Sequence, residues 1–110
     1  MVNLLQKKCV SCEGNIASLT KEQAEMLLAQ VSDWKLADDA KSISKTFRLS
    51  TFTNAIAFVD KIAVLAEIEQ HHPEMCISYR KVTCTLTTHA LHGLSENDFI
   101  LAAKINRLVS

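Results

Sequence analysis

Long apolar runs are missing from this 110-residue chain: none approaches the roughly 20 residues that cross a bilayer, which argues against a helical membrane protein. Net charge is missing as well. Twelve Lys and Arg balance twelve Asp and Glu and are scattered along the chain, so the field that draws a protein to nucleic acid is lacking, and direct DNA or RNA binding is disfavoured. A second zinc-binding pair is also absent. Cys9 and Cys12 form a C-x-x-C, but Cys76 and Cys84 stand alone, and no Cys or His pair at finger-like spacing completes four ligands. The pair runs into Glu13-Gly14-Asn15 and not into the strand-to-helix junction of a redox dithiol. It is read as part of a loose, irregular N-terminal arm, residues 1–19, with no metal and no cofactor expected. The opening Met1-Val2-Asn3-Leu4-Leu5-Gln6-Lys7-Lys8 places its charges after a very short apolar stretch. That is the wrong order for a secretory signal, so a cytoplasmic location is expected.

What is present, 48% apolar and 22% charged residues with no internal repeat, is the composition of an ordinary globular protein, and the length allows one domain, residues 20–110. Thr20 and Gln23 make a capping-box pattern, and Ala24, Leu27, Leu28 and Val31 fall on one helix face, giving a helix to about Ser32. A short strand over 33–36 and an alternating strand over 42–49 follow, joined by the polar turn 38–41. In the second strand Lys45 is the one charge on the apolar side. Thr51 caps a longer helix whose apolar stripe (Phe52, Ile56, Val59, Ile62, Ala63, Ala66, with Phe58 and Leu65) is broad enough to suggest burial on more than one side. Met75, Ile77 and Tyr79, then Val82, Cys84 and Leu86, alternate on either side of an expected Arg80-Lys81 turn and give a second hairpin. Ser95 caps a last helix with Asp98 at its third position and Leu101, Ala102, Ile105, Leu108 and Val109 inward. The order α-β-β-α-β-β-α predicts an α+β two-layer sandwich, a four-stranded antiparallel sheet with three helices on one face. Its open sheet edges and surplus apolar helix surface predict a homodimer or homotetramer.

Chemistry concentrates in residues 67–98. His71 and His72 end a helix at Pro73, which cannot continue it, and His89 ends the Thr-rich alternating segment. By parity His89 points with the threonines, away from the helix-covered face. Glu67 lies one helical turn before His71 and could accept a proton from its ring. Asp98 has a sufficient explanation in the helix dipole alone. His92, in the turn with Gly93, is read as a solvated loop residue.

Glu67, His71-His72-Pro73, Tyr79, Thr88-His89, Gly93-Leu94-Ser95 and Asp98, at these spacings, resemble the signature of the pterin-4a-carbinolamine dehydratase family. One departure is Met75, where members often carry an aromatic residue. The resemblance implies dehydration of 4a-hydroxytetrahydrobiopterin to the quinonoid dihydropterin in tetrahydrobiopterin recycling, without metal or cofactor. It implies catalytic roles for His71, His72 and His89, and supporting roles for Glu67 and Asp98. Substrate binding then falls to the three histidines with Gln70, Thr87, Thr88 and Ala90. Imidazole, with an ordinary pKa near ~6.5, suits both the acid and the base of such a reaction; which ring does which is open. The same resemblance implies a second class of role: dimerisation cofactor for a transcription factor, a link to phenylalanine hydroxylase, or molybdopterin metabolism.

Overall fold

The computed structural model describes residues 3–9 and 17–109. Helix α1 (Lys21–Leu28) starts at Thr20, whose hydroxyl accepts the Gln23 amide while the Gln23 side chain accepts the Thr20 amide. It stops four residues short of the expected Ser32, because the chain breaks into tight turns that bring Val31 and Trp34 into the core, Asp33 taking a left-handed backbone at φ 68°. Strand β1 (Lys35–Leu36) pairs with β2 (Ile43–Arg48). Helix α2 (Phe52–Glu69) is capped by the Thr51 hydroxyl on the Asn54 amide. Strands β3 (Glu74–Ser78) and β4 (Lys81–Leu86) form a hairpin, and α3 (Glu96–Arg107) closes the fold. The sheet order is β1-β2-β4-β3, antiparallel throughout, the α+β architecture expected. The hairpin turn falls at Tyr79-Arg80, one residue earlier than expected, since Tyr79 takes the positive φ of 54° that the reversal needs; its ring is exposed. Among the described residues no helix is long and apolar enough to cross a membrane.

Ile43, Phe47, Val82, Cys84 and Leu86 line the covered face of the sheet, and all are buried. Trp34, Phe47 and Phe58 stack edge-on and tilted across it, with ring centres 6.2 and 4.9 Å apart. Lys45 keeps its place on this face by sending its ammonium to the Ser32 carbonyl (3.1 Å) and Asn106 Oδ1 (2.9 Å), lying 4.6 Å from the centre of the Phe47 ring. Lys45→Met keeps the stem and removes the head. It is expected to cost about 1–2 kcal/mol, read as a lower urea midpoint at unchanged slope.

Helices α2 and α3 also differ from the sequence expectation. On α2 one narrow stripe is buried, Ala55, Phe58, Ile62, Ala66 and Glu69, while Phe52, Val64 and Ile68 are half or more exposed. The broad stripe is thus covered on one side only within a single chain. By contrast α3 is buried almost all round, from Asn97 to Ala103 and again at Ile105, with Val109 exposed. It is the middle of the helical layer, and part of its cover is the N-terminal arm. That arm is not loose over residues 3–9: Leu4–Gln6 form a 3₁₀ turn, Leu4 is in the core, and Lys7 pairs with Glu96 at 2.7 Å. Cys12 lies outside the described residues.

Candidate active site

The first half of the site is made by how α2 ends. Gln70 adopts a left-handed backbone (φ 55°, ψ 39°) that costs a non-glycine residue roughly 1–2 kcal/mol, and its amide and that of His71 both return to the Ala66 carbonyl. Its own side chain caps the Glu67 carbonyl at 2.7 Å. Pro73 then forbids further helix and favours an extended backbone at His72. Two adjacent imidazoles consequently leave the helix end in different directions. His72 Nε2 donates to Glu67 Oε2 (2.5 Å), a pair whose side chains are 58% and 73% exposed; His71 Nε2 donates to Asp98 Oδ1 (2.6 Å), where the imidazole is 11% exposed and the carboxylate fully buried. The expectation that Glu67 serves His71 is therefore corrected: the left-handed residue rotates His72, and not His71, back over the last turn.

The second half is a loop pinned at its base. Beyond β4, Thr88 and Gly93 form an isolated bridge (Thr88 N–H to Gly93 O, 2.8 Å), and between them His89–Leu91 make a 3₁₀ turn that ends on His92 at φ 52°. Gly93 packs closely against the arm: a Cβ there would sit 3.0 Å from Ser18 Cβ, so a larger residue would need Ser18 to shift by a few tenths of an ångström. Thr87 Oγ1 ties the loop to the Lys41 carbonyl at 2.6 Å. The strand ends at Leu86, but burial goes on alternating through Thr87 and buried Thr88 to exposed His89, so His89 lies off the helix-covered face, as its parity suggested, at the start of the 3₁₀ turn. Asp98 joins the two halves. In the first turn of α3 it accepts His71 on Oδ1, and on Oδ2 the Thr88 hydroxyl (2.8 Å) and the Ser95 amide (3.0 Å) of the capping box.

Between the halves lies a cavity of about 610 Å³ lined by Gln70, His71, His72, Thr87, Thr88, His89 and Ala90, with Cys9, Ile68, Glu69 and Asn97. Its size suits a flat bicyclic ligand with a short substituent. A larger cavity of about 1100 Å³, between the N-terminal arm, α1 and α3, is lined by Leu4, Leu19, Met26 and other residues without a carboxylate or an imidazole. It has volume but no acid–base chemistry, so the smaller cavity is the candidate site. Among the described residues no group of three or more His, Cys, Asp or Glu side chains is disposed to hold a metal ion.

The family model described as pterin 4 alpha carbinolamine dehydratase matches residues 17–108. The chain belongs to this family. Among its relatives, a protein of Halorhodospira halophila, named provisionally as a pterin-4-alpha-carbinolamine dehydratase, is 41% identical over 107 residues, 97% of this chain and 98% of its own. One of Nitrosomonas eutropha, named the same way, is 44% identical over 108 residues, 97% and 94% of the two chains. Among solved structures, the transcriptional coactivator/pterin dehydratase from Brucella melitensis superposes with a TM-score of 0.80 at 31% identity, over 84% of this chain and 99% of that one. A pterin dehydratase-like RuBisCO assembly factor of the alpha-carboxysome shares the fold, with a TM-score of 0.62 at 24% identity over 71% and 90% of the chains.

Within this pterin dehydratase fold, sequence reasoning missed Cys9, Ile68, Glu69 and Asn97 in the pocket lining. Glu69 had a signal: it continues the buried stripe Ala55, Phe58, Ile62, Ala66 at helical spacing, and an acid on a buried stripe demands a cation. That cation is Lys104, at 2.8 Å. His92 is exposed and does not line the pocket.

Proposed function

We propose that the protein is a 4a-hydroxytetrahydrobiopterin dehydratase, a hydro-lyase that returns the 4a-carbinolamine to quinonoid dihydropterin in tetrahydrobiopterin recycling. The observation that carries this reading is the single cavity lined by three imidazoles, two of them oriented by carboxylates. In the reaction the C4a–O bond breaks and the hydroxyl leaves as water, for which it takes one proton. The N5 hydrogen leaves as a proton, and the electron pair it releases becomes the new bond to C4a. One acid and one base suffice, each worth about 10²–10⁴ in rate when positioned. A ring that donates Nε2–H to a carboxylate is fixed in orientation and, when neutral, keeps its lone pair on Nδ1. His71 and His72 are both held this way, and His89 supplies the third group. Backbone and hydroxyl groups at Gln70, Thr87, Thr88 and Ala90 are the partners we assign to the pterin's pyrimidine edge. The Brucella protein is also named a transcriptional coactivator, a second kind of role; in this chain the carboxylate-paired histidines favour chemistry. The test is a stopped assay of carbinolamine dehydration against the spontaneous rate. No acceleration over background, with folded protein, would sink the reading.

We also propose that the chain self-associates, as a homodimer or homotetramer. Phe52, Val64 and Ile68 on α2 and Ile77 on the β3 edge are 40–65% exposed, large apolar side chains that a partner copy would cover. Light scattering at micromolar concentration is expected to give a multiple of 12.2 kDa, and a clean monomer mass would count against it.

A further inference from the structure

We propose that the N-terminal arm is one wall of the pterin pocket, held there by Glu69, and that Cys9 is a positioning residue for the bound ligand. The proposal rests on the dehydratase reading for the ligand, but its geometry stands apart from it. Glu69 is the last residue of α2, directly before the Gln70-His71-His72 segment, and its side chain is 4% exposed. A buried carboxylate is costly unless both oxygens are satisfied, and an apolar residue would join α2 to α3 at less cost. Here one oxygen, Oε2, takes the Lys104 ammonium of α3 at 2.8 Å. The other, Oε1, takes the backbone amide of Cys9 at 2.9 Å. What the acid adds over an apolar side chain is this second contact, which fastens the arm at the root of the histidine segment. Leu4 in the core and the Lys7–Glu96 pair secure the rest of residues 3–9.

The environment also defines what Cys9 does in the pocket. Its thiol points to the Asn97 carbonyl at 3.5 Å and is pushed up to about 12 by burial and by the negative charge of Glu69. The Glu69 carboxyl itself, which burial alone would raise, is held below its ordinary value by the hydrogen bonds from Lys104 and the Cys9 amide. At neutral pH the thiol is protonated, a weak donor and a small packing surface and not a nucleophile. A wall residue of this kind contributes to binding substrate and transition state alike, so its loss raises KM and leaves kcat nearly unchanged.

Two variants of the 110-residue chain test this. In Glu69→Gln, amide hydrogen exchange across residues 3–9 is expected to quicken at least tenfold, with KM for the carbinolamine up fivefold or more and kcat within twofold. Cys9→Leu leaves Glu69 in place and crowds the pocket, so KM rises by a similar factor with the arm still protected; this variant serves if Glu69→Gln fails to fold. Adding 7,8-dihydrobiopterin to the wild type is expected to slow exchange in residues 3–9. Unchanged exchange in Glu69→Gln, an unchanged KM in Cys9→Leu, or a pterin that protects the His71-His72 segment but not residues 3–9 would overturn the proposal. Wild-type protein with no turnover at all overturns the dehydratase reading instead, and the attachment of the arm by Glu69 is then decided by exchange alone.

Discussion

Replacing His72 or His89 by Ala lowers carbinolamine dehydration by a factor of about 10²–10⁴ while the unfolding midpoint scarcely moves. Both expectations come from where these rings sit. Each lines the cavity, so each can meet a ligand atom; each is also largely exposed, so neither holds the fold. The Glu67–His72 pair lost with His72 is solvent-facing and worth under about 1 kcal/mol. His92→Ala is the control. It removes an exposed imidazole from the same loop without touching the pocket, and its rate should match wild type. Turnover is compared with the uncatalysed reaction on a pterin that the wild type handles well. Were His72→Ala and His92→Ala to behave alike there, the role assigned to His72 would be wrong.

The architecture was legible in the sequence because its signals are local. Thr20, Thr51 and Ser95 cap the three helices, and period-two alternation marks β2, β3 and β4, so element order and sheet pairing could be read from them. The histidines were legible as residues but not as a geometry. Gln70, Tyr79 and His92 take left-handed backbones without being glycine, and nothing in their side chains announces it. Each changes the local path of the chain: Gln70 gives Glu67 to His72, Tyr79 moves the hairpin turn, and His92 closes the 3₁₀ turn that His89 opens. The attachment of the arm was hidden for another reason. Its contacts to Glu69, Glu96 and Asn97 lie 60 to 89 residues away in the chain, and no periodicity within residues 1–19 reports them. Met75, where relatives often have an aromatic residue, pairs with Cys84 and is half-buried against the core, outside the lining of the histidine cavity.

The largest combined effect is expected at Asp98, because one carboxylate there serves both stability and the candidate chemistry. It is fully buried and accepts three donors: His71 Nε2–H, the Thr88 hydroxyl and the Ser95 amide. Asp98→Ala strands all three and removes half of the capping box. Breaking a buried, hydrogen-bonded charge costs about 3–5 kcal/mol, a large part of the ~5–15 kcal/mol that holds a domain of this size, so the midpoint should fall by roughly 10–20 °C. Turnover, measured well below that midpoint, should fall as well, since the His71 ring loses the group that orients it. Ser95→Ala separates the two effects. It weakens the same helix start at a cost of about 1 kcal/mol but leaves the His71–Asp98 contact in place, so it should lower stability with little change in rate. If Asp98→Ala instead kept wild-type turnover while losing stability, Asp98 would be a helix cap that happens to touch an imidazole. If the two variants lost activity in proportion to their stability, the rate would be reporting unfolding and not the orientation of His71.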